Sequence, residues 1–191
     1  DLQRAAEEYR MAVSTWERAG EPARARRGRA NLAMAALVPL GQFDSALDQF
    51  AQILAVPGLT DLERLMTVAR EGHVLVLANR LDSAESRFRR VTDLARVHEF
   101  PDLVGYAAWG LALIAGRRGD HHEVVRQFAA ADPEWLGDDE LVGVACCCDI
   151  SITLGALGDL DGAASALDRA ESIGGPYLDQ LAVARFVLDA R

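Results

Sequence analysis

Three short runs of side chains in this sequence could carry out chemistry. Two histidines are adjacent at His121-His122, three cysteines are consecutive at Cys146–Cys148, and three acids stand together at 138–140. Histidine, cysteine and carboxylate side chains bind transition metals, and each can act in acid–base or nucleophilic catalysis. Neighbouring residues on a helix point in different directions, so members of one run cannot share a metal ion. No further ligand stands at a suitable spacing, and we predict neither a metal site nor a cofactor.

Each run also has a structural explanation. The cysteines suit small apolar core positions in a reducing cytoplasm, and the acids suit the start of a helix, where negative charge favours the dipole. We expect His121 to pack between helices. Arg118-Gly119-Asp120 spells an integrin-recognition tripeptide, which we interpret as a turn between two helices with Asp120 as the cap. The sequence contains no phosphate loop, nucleophile elbow or zinc signature, so we predict no enzymatic activity.

One dense basic cluster is formed by Arg24, Arg26, Arg27 and Arg29. Basic side chains near the start of a helix oppose its dipole, so they need carboxylate partners or solvent. We expect them to pair within the chain with the acids of the preceding helix, Glu7, Glu8 and Glu17. Contact with an acidic partner or a nucleotide-bearing domain is the alternative.

The composition favours helices and limits the choice of partner. Half of the 191 residues are apolar, the net charge is −9, and all 20 basic residues are arginine. Nucleic-acid binding generally requires a basic surface, so we expect no direct nucleic-acid binding by this segment. The sequence has no signal peptide and no apolar run of about 18 residues, the length of a membrane span. We therefore predict no membrane contact and a cytoplasmic location.

A repeated spacing of turn, small and large residues runs through the chain. In one copy, Gly41, Phe43, Ala46, Phe50 and Ile53 occupy relative positions 0, 2, 5, 9 and 12. The same spacing recurs in Leu2, Ala5, Tyr9 and Ala12 (first position missing), in Asn79, Leu81, Ala84, Phe88 and Val91, in Gly119, His121, Val124, Phe128 and Ala131, and in Gly158, Leu160, Ala163, Leu167 and Ala170. The residues at position 5 are 41, 38, 40 and 39 positions apart. Such a period is typical of solenoids and helical arrays.

The repeated positions have a physical reason. Gly or Asn at position 0 tolerates the left-handed conformation that ends a helix. The residues at positions 5 and 9 are four apart and therefore lie on one face of the next helix. The small residue lets two helices approach closely, and the large one fills the space beyond. Each copy is therefore predicted to form a helix, a turn and a second helix.

This frame resembles the tetratricopeptide repeat. The signature of its second helix, Ala followed four residues later by Phe, occurs as Ala46…Phe50 and Ala84…Phe88, and with one conservative change in the other copies. Two features depart from the family: the Leu-Gly pair of the first helix is replaced, and the period is 38 to 41 rather than about 34. The pair reads Ala33-Met34, Glu71-Gly72, Leu111-Ala112 and Ile150-Ser151. The longer copies are similar to those of bacterial signal-transduction ATPases, including maltose-regulator-like activators.

The resemblance implies an all-α, right-handed superhelix of antiparallel helical hairpins, with about ten helices in one domain. It predicts a half repeat at 1–19, complete repeats at about 22–56, 60–98, 102–131 and 138–172, and a terminal helix at 176–190. Within the complete repeats, the paired helices are 22–40 and 43–56, 60–79 and 81–98, 102–117 and 120–131, and 138–157 and 159–172. Thr60 and Glu63 should form a capping box, and Pro39 should bend the end of its helix. Because the chain begins and ends with half a repeat, we expect it to be a piece of a longer protein.

In the tetratricopeptide family, the first helices line a concave groove, and the resemblance extends this role to eight residues here. They are Asn31, Met66, His73, Tyr106, Trp109, Leu113, Cys148 and Ile152. Tyr106 and Trp109 are the strongest candidates, because aromatic anchors commonly dominate binding. A place in the core between helices is the alternative for both.

The implied function is protein interaction or ligand sensing inside a larger bacterial regulatory protein. The binding partner would be a protein or peptide, or a neighbouring domain of the same chain, such as an ATPase or DNA-binding module. Two alternatives remain: a free-standing adaptor that binds a peptide, and the interaction domain of an attached effector enzyme such as a protease. Fold analogy alone does not decide among them.

Overall fold

Helices form every regular element in the part of the chain that the structure describes. The structure is a computed structural model, and it describes residues 1–130 and 140–173. The helices are α1 (Leu2–Arg18), α2 (Pro22–Asn31), α3 (Phe43–Leu54), α4 (Asp61–Leu77), α5 (Leu81–Val97), α6 (Pro101–Arg118), α7 (His121–Ala130), α8 (Glu140–Ala156) and α9 (Leu160–Ile173). The predicted all-α class is confirmed for these residues. None of these helices combines the length and the apolar composition needed to cross a bilayer.

The helix boundaries differ from the predicted ones by at most three residues. The largest difference is at 22–40, where α2 continues as a π-helical segment, Leu32–Leu37, and then ends. Pro39 has no N–H group and its ring clashes with the carbonyl four residues earlier, so regular α-helix cannot reach residue 40. The Val38 N–H instead bonds the Ala33 carbonyl, five residues back, at 2.9 Å. The predicted helix at 176–190 and the acids Asp138 and Asp139 lie outside the described residues.

The predicted left-handed turns are present at position 0 of all four copies that have this position. The φ angles are +70° at Gly41, +56° at Asn79, +76° at Gly119 and +87° at Gly158. After Gly119, the Asp120 carboxylate accepts a hydrogen bond from the Glu123 N–H at 3.1 Å. The interpretation of Arg118-Gly119-Asp120 as a turn and cap is therefore confirmed.

The residue at position 5 is buried in four of the five copies, and the large residue at position 9 is buried in three of them. The fully buried residues include Ala46, Phe50, Ala84, Phe88, Val124 and Ala163, while Leu167 is 4% exposed and Phe128 is half-buried. The first copy departs from the frame, because α1 buries Ala6 and Val13 and leaves Ala5, Tyr9 and Ala12 half-buried. Helix α1 packs on α2 and the π segment. The face of α1 that is buried there is shifted by one residue from the face that the repeat frame predicts.

The chain divides into two compact units, the N-terminal unit (Asp1–Arg87) and the C-terminal unit (from Phe88 onward). In the N-terminal unit, α1 packs on α2, and α3 packs on the π segment and α4. Their shared core is made of alanines together with larger side chains such as Leu37, Phe50 and Val74. A Cβ atom at Gly28 would lie 2.6 Å from the Trp16 ring, so glycine is needed where α1 meets α2.

Ion pairs join neighbouring elements of the N-terminal unit. Arg29 on α2 binds Glu17 on α1 at 2.5 Å, and Arg26 binds Glu63 on α4 at 2.8 Å. Two further pairs are Arg80–Asp44 at 2.6 Å and Arg87–Glu71 at 2.9 Å. The polar contacts therefore lie around the margin of an alanine-rich core.

In the C-terminal unit, α6 and α8 are apolar on nearly every face. Helix α6 packs on α7 and α8, and α8 packs on α9. A Cβ atom at Gly110 would clash with the Phe88 ring, and one at Gly116 would clash with the Thr153 methyl group. Small residues on α6 therefore let large side chains approach its backbone, as expected of a helix that is buried all round.

Candidate functional site

A cleft of about 290 Å³ opens in the N-terminal unit between α2 and α4. Its lining residues are Ala23, Arg26, Arg27, Ala30, Ile53, Leu59, Glu63, Met66, Thr67 and Arg70, and we name it the arginine cleft. On each of the two helices, the lining residues follow the spacing i, i+3, i+4 and i+7, which marks one face of a helix. These faces carry three guanidinium groups and one carboxylate.

Glu63 holds one wall of the cleft in place. Thr60 and Glu63 form the predicted capping box: the Thr60 N–H donates to Glu63 Oε2 at 2.9 Å, and the Glu63 N–H donates to Thr60 Oγ1 at 3.2 Å. Glu63 Oε1 also accepts from Arg26 at 2.8 Å. These bonds, led by the one from the Thr60 backbone, lower the pKa of Glu63 to about 2. The carboxylate is therefore ionised at neutral pH and offsets the charge of Arg26.

Arg27 and Arg70 differ from Arg26 in their partners. Within residues 1–130 and 140–173, neither guanidinium forms a hydrogen bond or an ion pair. Arg27 is exposed and Arg70 is half-buried. The cleft therefore has two guanidinium groups whose charge no carboxylate of the described chain offsets directly, and both can bind an oxyanion.

The basic cluster of α2 pairs within the chain in part as expected. Arg29 binds Glu17 of the preceding helix, as the sequence predicts, and also the Gln49 side chain at 3.0 Å. The predicted partner Glu8 instead binds Arg4 on its own helix at 2.9 Å. Arg24 binds Glu21 at 2.7 Å, three residues earlier on the chain. The cluster is therefore divided, with Arg24 and Arg29 paired nearby and Arg26 and Arg27 lining the cleft.

Three of the predicted groove residues belong to the N-terminal unit. Met66 lines the arginine cleft, next to Thr67. Asn31 is exposed at the end of α2. His73, two turns after Met66 on α4, is largely buried, and this burial lowers its pKa to about 4. The imidazole is therefore neutral at pH 7.

The other five predicted groove residues lie in and around the core of the C-terminal unit. Trp109 is 5% exposed, and its ring meets the Tyr106 ring edge-on, with 5.2 Å between centroids. Tyr106 and Leu113 are partly buried against the same core cluster, between α6 and α8. Cys148 is buried, and Ile152 packs beside it. Their assignment to a groove stays a prediction.

Asp149 is a largely buried carboxylate that was not among the predicted site residues. Burial raises its pKa to about 6, although the Trp109 indole and the Arg117 charge both act to lower it. It stands between Cys148 and Ile150, two apolar core residues. The sequence feature that could have indicated this buried acid is its place within an otherwise apolar run, residues 144–148 and 150.

The histidine and cysteine runs form no metal site in the described part of the chain. No group of three or more His, Cys, Asp or Glu side chains there is placed to hold a metal ion. His121 Nε2 instead contacts Asp159 Oδ2 at 2.8 Å, joining α7 to the turn before α9. Cys146, Cys147 and Cys148 are buried and unbridged, and burial raises the pKa of each thiol. The buried positions of the cysteines are consistent with their expected packing role, whereas the His121 side chain is 41% exposed and contacts Asp159 at its edge.

No protein-family model matches the chain, and no curated protein or solved structure is significantly similar to it. Function is therefore inferred from the side chains that the helices bring together.

Proposed function

We propose that the chain is a recognition module of tetratricopeptide-like helical hairpins, which binds a protein partner or a ligand inside a larger bacterial regulatory protein. The observation that carries the proposal is the recurrence of one structural unit. A left-handed turn is followed by a helix with a buried residue five positions later and a large residue four further on, in α3, α5, α7 and α9. Repeats of this kind stack through their neighbours and present a row of helices to a partner.

The arginine cleft supports recognition on the first helices of the hairpins. It lies between α2 and α4, each the first helix of its pair, and these are the helices that the tetratricopeptide resemblance assigns to the groove. A partner bound there would favour one arrangement of the two helices over others. The mechanism would be a shift in the population of arrangements, transmitted to a neighbouring domain.

The first experiment is to sequence the open reading frame on both sides of this chain and to titrate each flanking segment into it by calorimetry. A regulatory role predicts a nucleotide-binding or DNA-binding module in the flanks and saturable binding of at least one segment. Flanks that hold only further repeats would favour the adaptor function. A catalytic Cys–His or Ser–His pair in the flanks would favour a role as the interaction domain of an attached enzyme. Absence of binding by every segment would contradict regulation through contacts between domains.

A further inference from the structure

We propose that the arginine cleft binds a small organic anion, in which a carboxylate or phosphate group is attached to a short apolar body. This inference deepens the proposed function and rests on it only in treating the chain as a binding module. The cleft offers a separate site to each half of such a ligand: guanidinium groups for the oxyanion, and apolar side chains for the body.

The charge distribution selects an anion. Arg26 is already paired with Glu63, whose carboxylate also accepts from the Thr60 N–H and the Thr60 hydroxyl. Arg27 and Arg70 have no such partner among the described residues, and both line the same cleft. A planar guanidinium offers two parallel N–H groups to a carboxylate or phosphate. In a chain of net charge −9, this cleft is a local cationic site.

The remaining lining residues select an apolar body of limited size. Ile53, Leu59 and Met66 contribute large apolar side chains, and Ala23 and Ala30 leave space beside them. The volume of about 290 Å³ lies just below the usual range for small-molecule sites, roughly 300 to 1,000 Å³, and therefore suits a small ligand. Methionine adapts its shape to what it contacts, so Met66 suits a ligand-facing position.

Hydrogen bonds within α4 fix the wall of the cleft before any ligand arrives. The Thr67 hydroxyl donates to the Glu63 carbonyl at 2.7 Å, and the capping box fixes the first turn of the helix. Thr67 is buried, although its neighbours Met66 and Arg70 are only half-buried. A preformed wall lowers the cost of ordering the protein side chains on binding.

The test is an NMR titration of the intact chain with three probes of similar shape: phenyl phosphate, benzoate and the uncharged benzyl alcohol. We expect both anions, but not the alcohol, to shift the Met66 methyl resonance and the amides of α2 and α4 in a saturable manner. Comparison of the two anions distinguishes a phosphate site from a carboxylate site. The Met11 methyl, which does not line the cleft, should remain unchanged.

Substitutions then assign the charge. Arg27→Gln and Arg70→Gln should each weaken anion binding about fivefold to tenfold, since a hydrogen bond to a charged group contributes that much or more. Arg64→Gln is the matched control, because Arg64 lies on α4, carries the same charge and does not line the cleft. Circular dichroism of each variant establishes that it is folded.

Three results would overturn the proposal: no saturable shift with either anion, equal weakening by Arg64→Gln, or equal binding of benzyl alcohol. A fourth result would also overturn the proposal: a short peptide of alternating Asp and Leu that competes with the anions and binds much more tightly than either. The cleft would then be a peptide-binding site. Calorimetry with flanking segments is independent of these probes. If a flanking segment binds while the anions do not, the proposed ligand class is wrong but the proposed function as a binding module stands. If the anions bind while no segment does, the ligand class stands and regulation through contacts between domains is contradicted.

Discussion

The two compact units place their polar groups differently. In the N-terminal unit, arginine–carboxylate pairs such as Arg29–Glu17 and Arg87–Glu71 lie around an alanine-rich core, and the largely buried titratable group is His73. In the C-terminal unit, α6 and α8 are apolar almost all round, and Asp149 is a largely buried acid. One unit therefore buries a base that is neutral at pH 7, and the other an acid that is largely charged at pH 7. We therefore expect these two groups to change the stability of the chain in opposite directions as the pH falls.

The largest expected difference concerns equivalent phenylalanines of the repeat. Phe50 is fully buried in the N-terminal unit, whereas Phe128 is half-buried in the C-terminal unit, with the Arg169 guanidinium 5.6 Å from its ring centre. Phe50→Ala should lower the free energy of unfolding by about 4 kcal/mol, and Phe128→Ala by about half as much. Urea unfolding followed by circular dichroism measures both. Equal losses would mean that the two positions are packed alike and would contradict the difference in burial between Phe50 and Phe128.

The second prediction concerns acid and the N-terminal unit. Burial lowers the pKa of His73 to about 4, so the unfolded chain takes up a proton first as the pH falls below the ordinary value of 6.5. The contribution of His73 to the free energy of unfolding is therefore fully present above pH 6.5. It falls by about 2 to 3 kcal/mol as the pH falls toward 4. His73→Gln should remove this part of the acid loss. We expect His98→Gln, a change at an exposed histidine, to leave the loss as it is in the parent chain.

The third prediction is the opposite response in the C-terminal unit. Burial raises the pKa of Asp149 to about 6, so the folded chain holds its proton over a pH range in which the unfolded chain has lost it. This contribution to stability is complete below about pH 4 and is lost as the pH rises through 6. Asp149→Asn should therefore raise the free energy of unfolding by about 2 kcal/mol at pH 7.5 and by little at pH 4. The exposed Asp168→Asn serves as the control, and a gain of equal size there would point to net charge instead of burial.

The sequence defines the exposed side of a helix best where the helix has two distinct faces. On α4, the apolar stripe is interrupted by Glu63 and Arg70, so spacing alone places Met66 at an open face. On α6, apolar residues occur in every direction, so spacing cannot separate a groove position from a core position for Trp109. Helix boundaries and turns were predictable because Gly, Asn and the capping pair act locally. The partition of the arginines between ion pairs and the cleft depends on contacts between helices, such as Arg26 with Glu63, which spacing within one helix does not define.

The smallest expected effects are at the turns, one from each unit. Gly119, with a φ of +76°, should lose about 1 kcal/mol of stability when replaced by Ala, because a Cβ atom disfavours the left-handed region. Asn79, with a φ of +56°, already carries part of that cost, so Asn79→Gly should be neutral or stabilising by a few tenths of a kcal/mol. The unfolding temperature of each variant, measured by thermal unfolding, distinguishes the expected loss of stability at Gly119 from the absence of a loss at Asn79. A loss at Asn79 as large as that at Gly119 would show that its side chain contributes to the turn.

The central claim of the proposal is that recognition takes place at the arginine cleft of the N-terminal unit and not at the Tyr106–Trp109 pair of the C-terminal unit. The most direct measurement is calorimetric titration of a binding flanking segment, in the presence and absence of phenyl phosphate, into the parent chain, the Arg27→Gln/Arg70→Gln variant and Trp109→Phe. We predict weaker binding to the double variant, unchanged binding to Trp109→Phe, and an effect of phenyl phosphate on the parent chain and on Trp109→Phe but not on the double variant. Loss of binding in Trp109→Phe, with the double variant unaffected, would contradict the account.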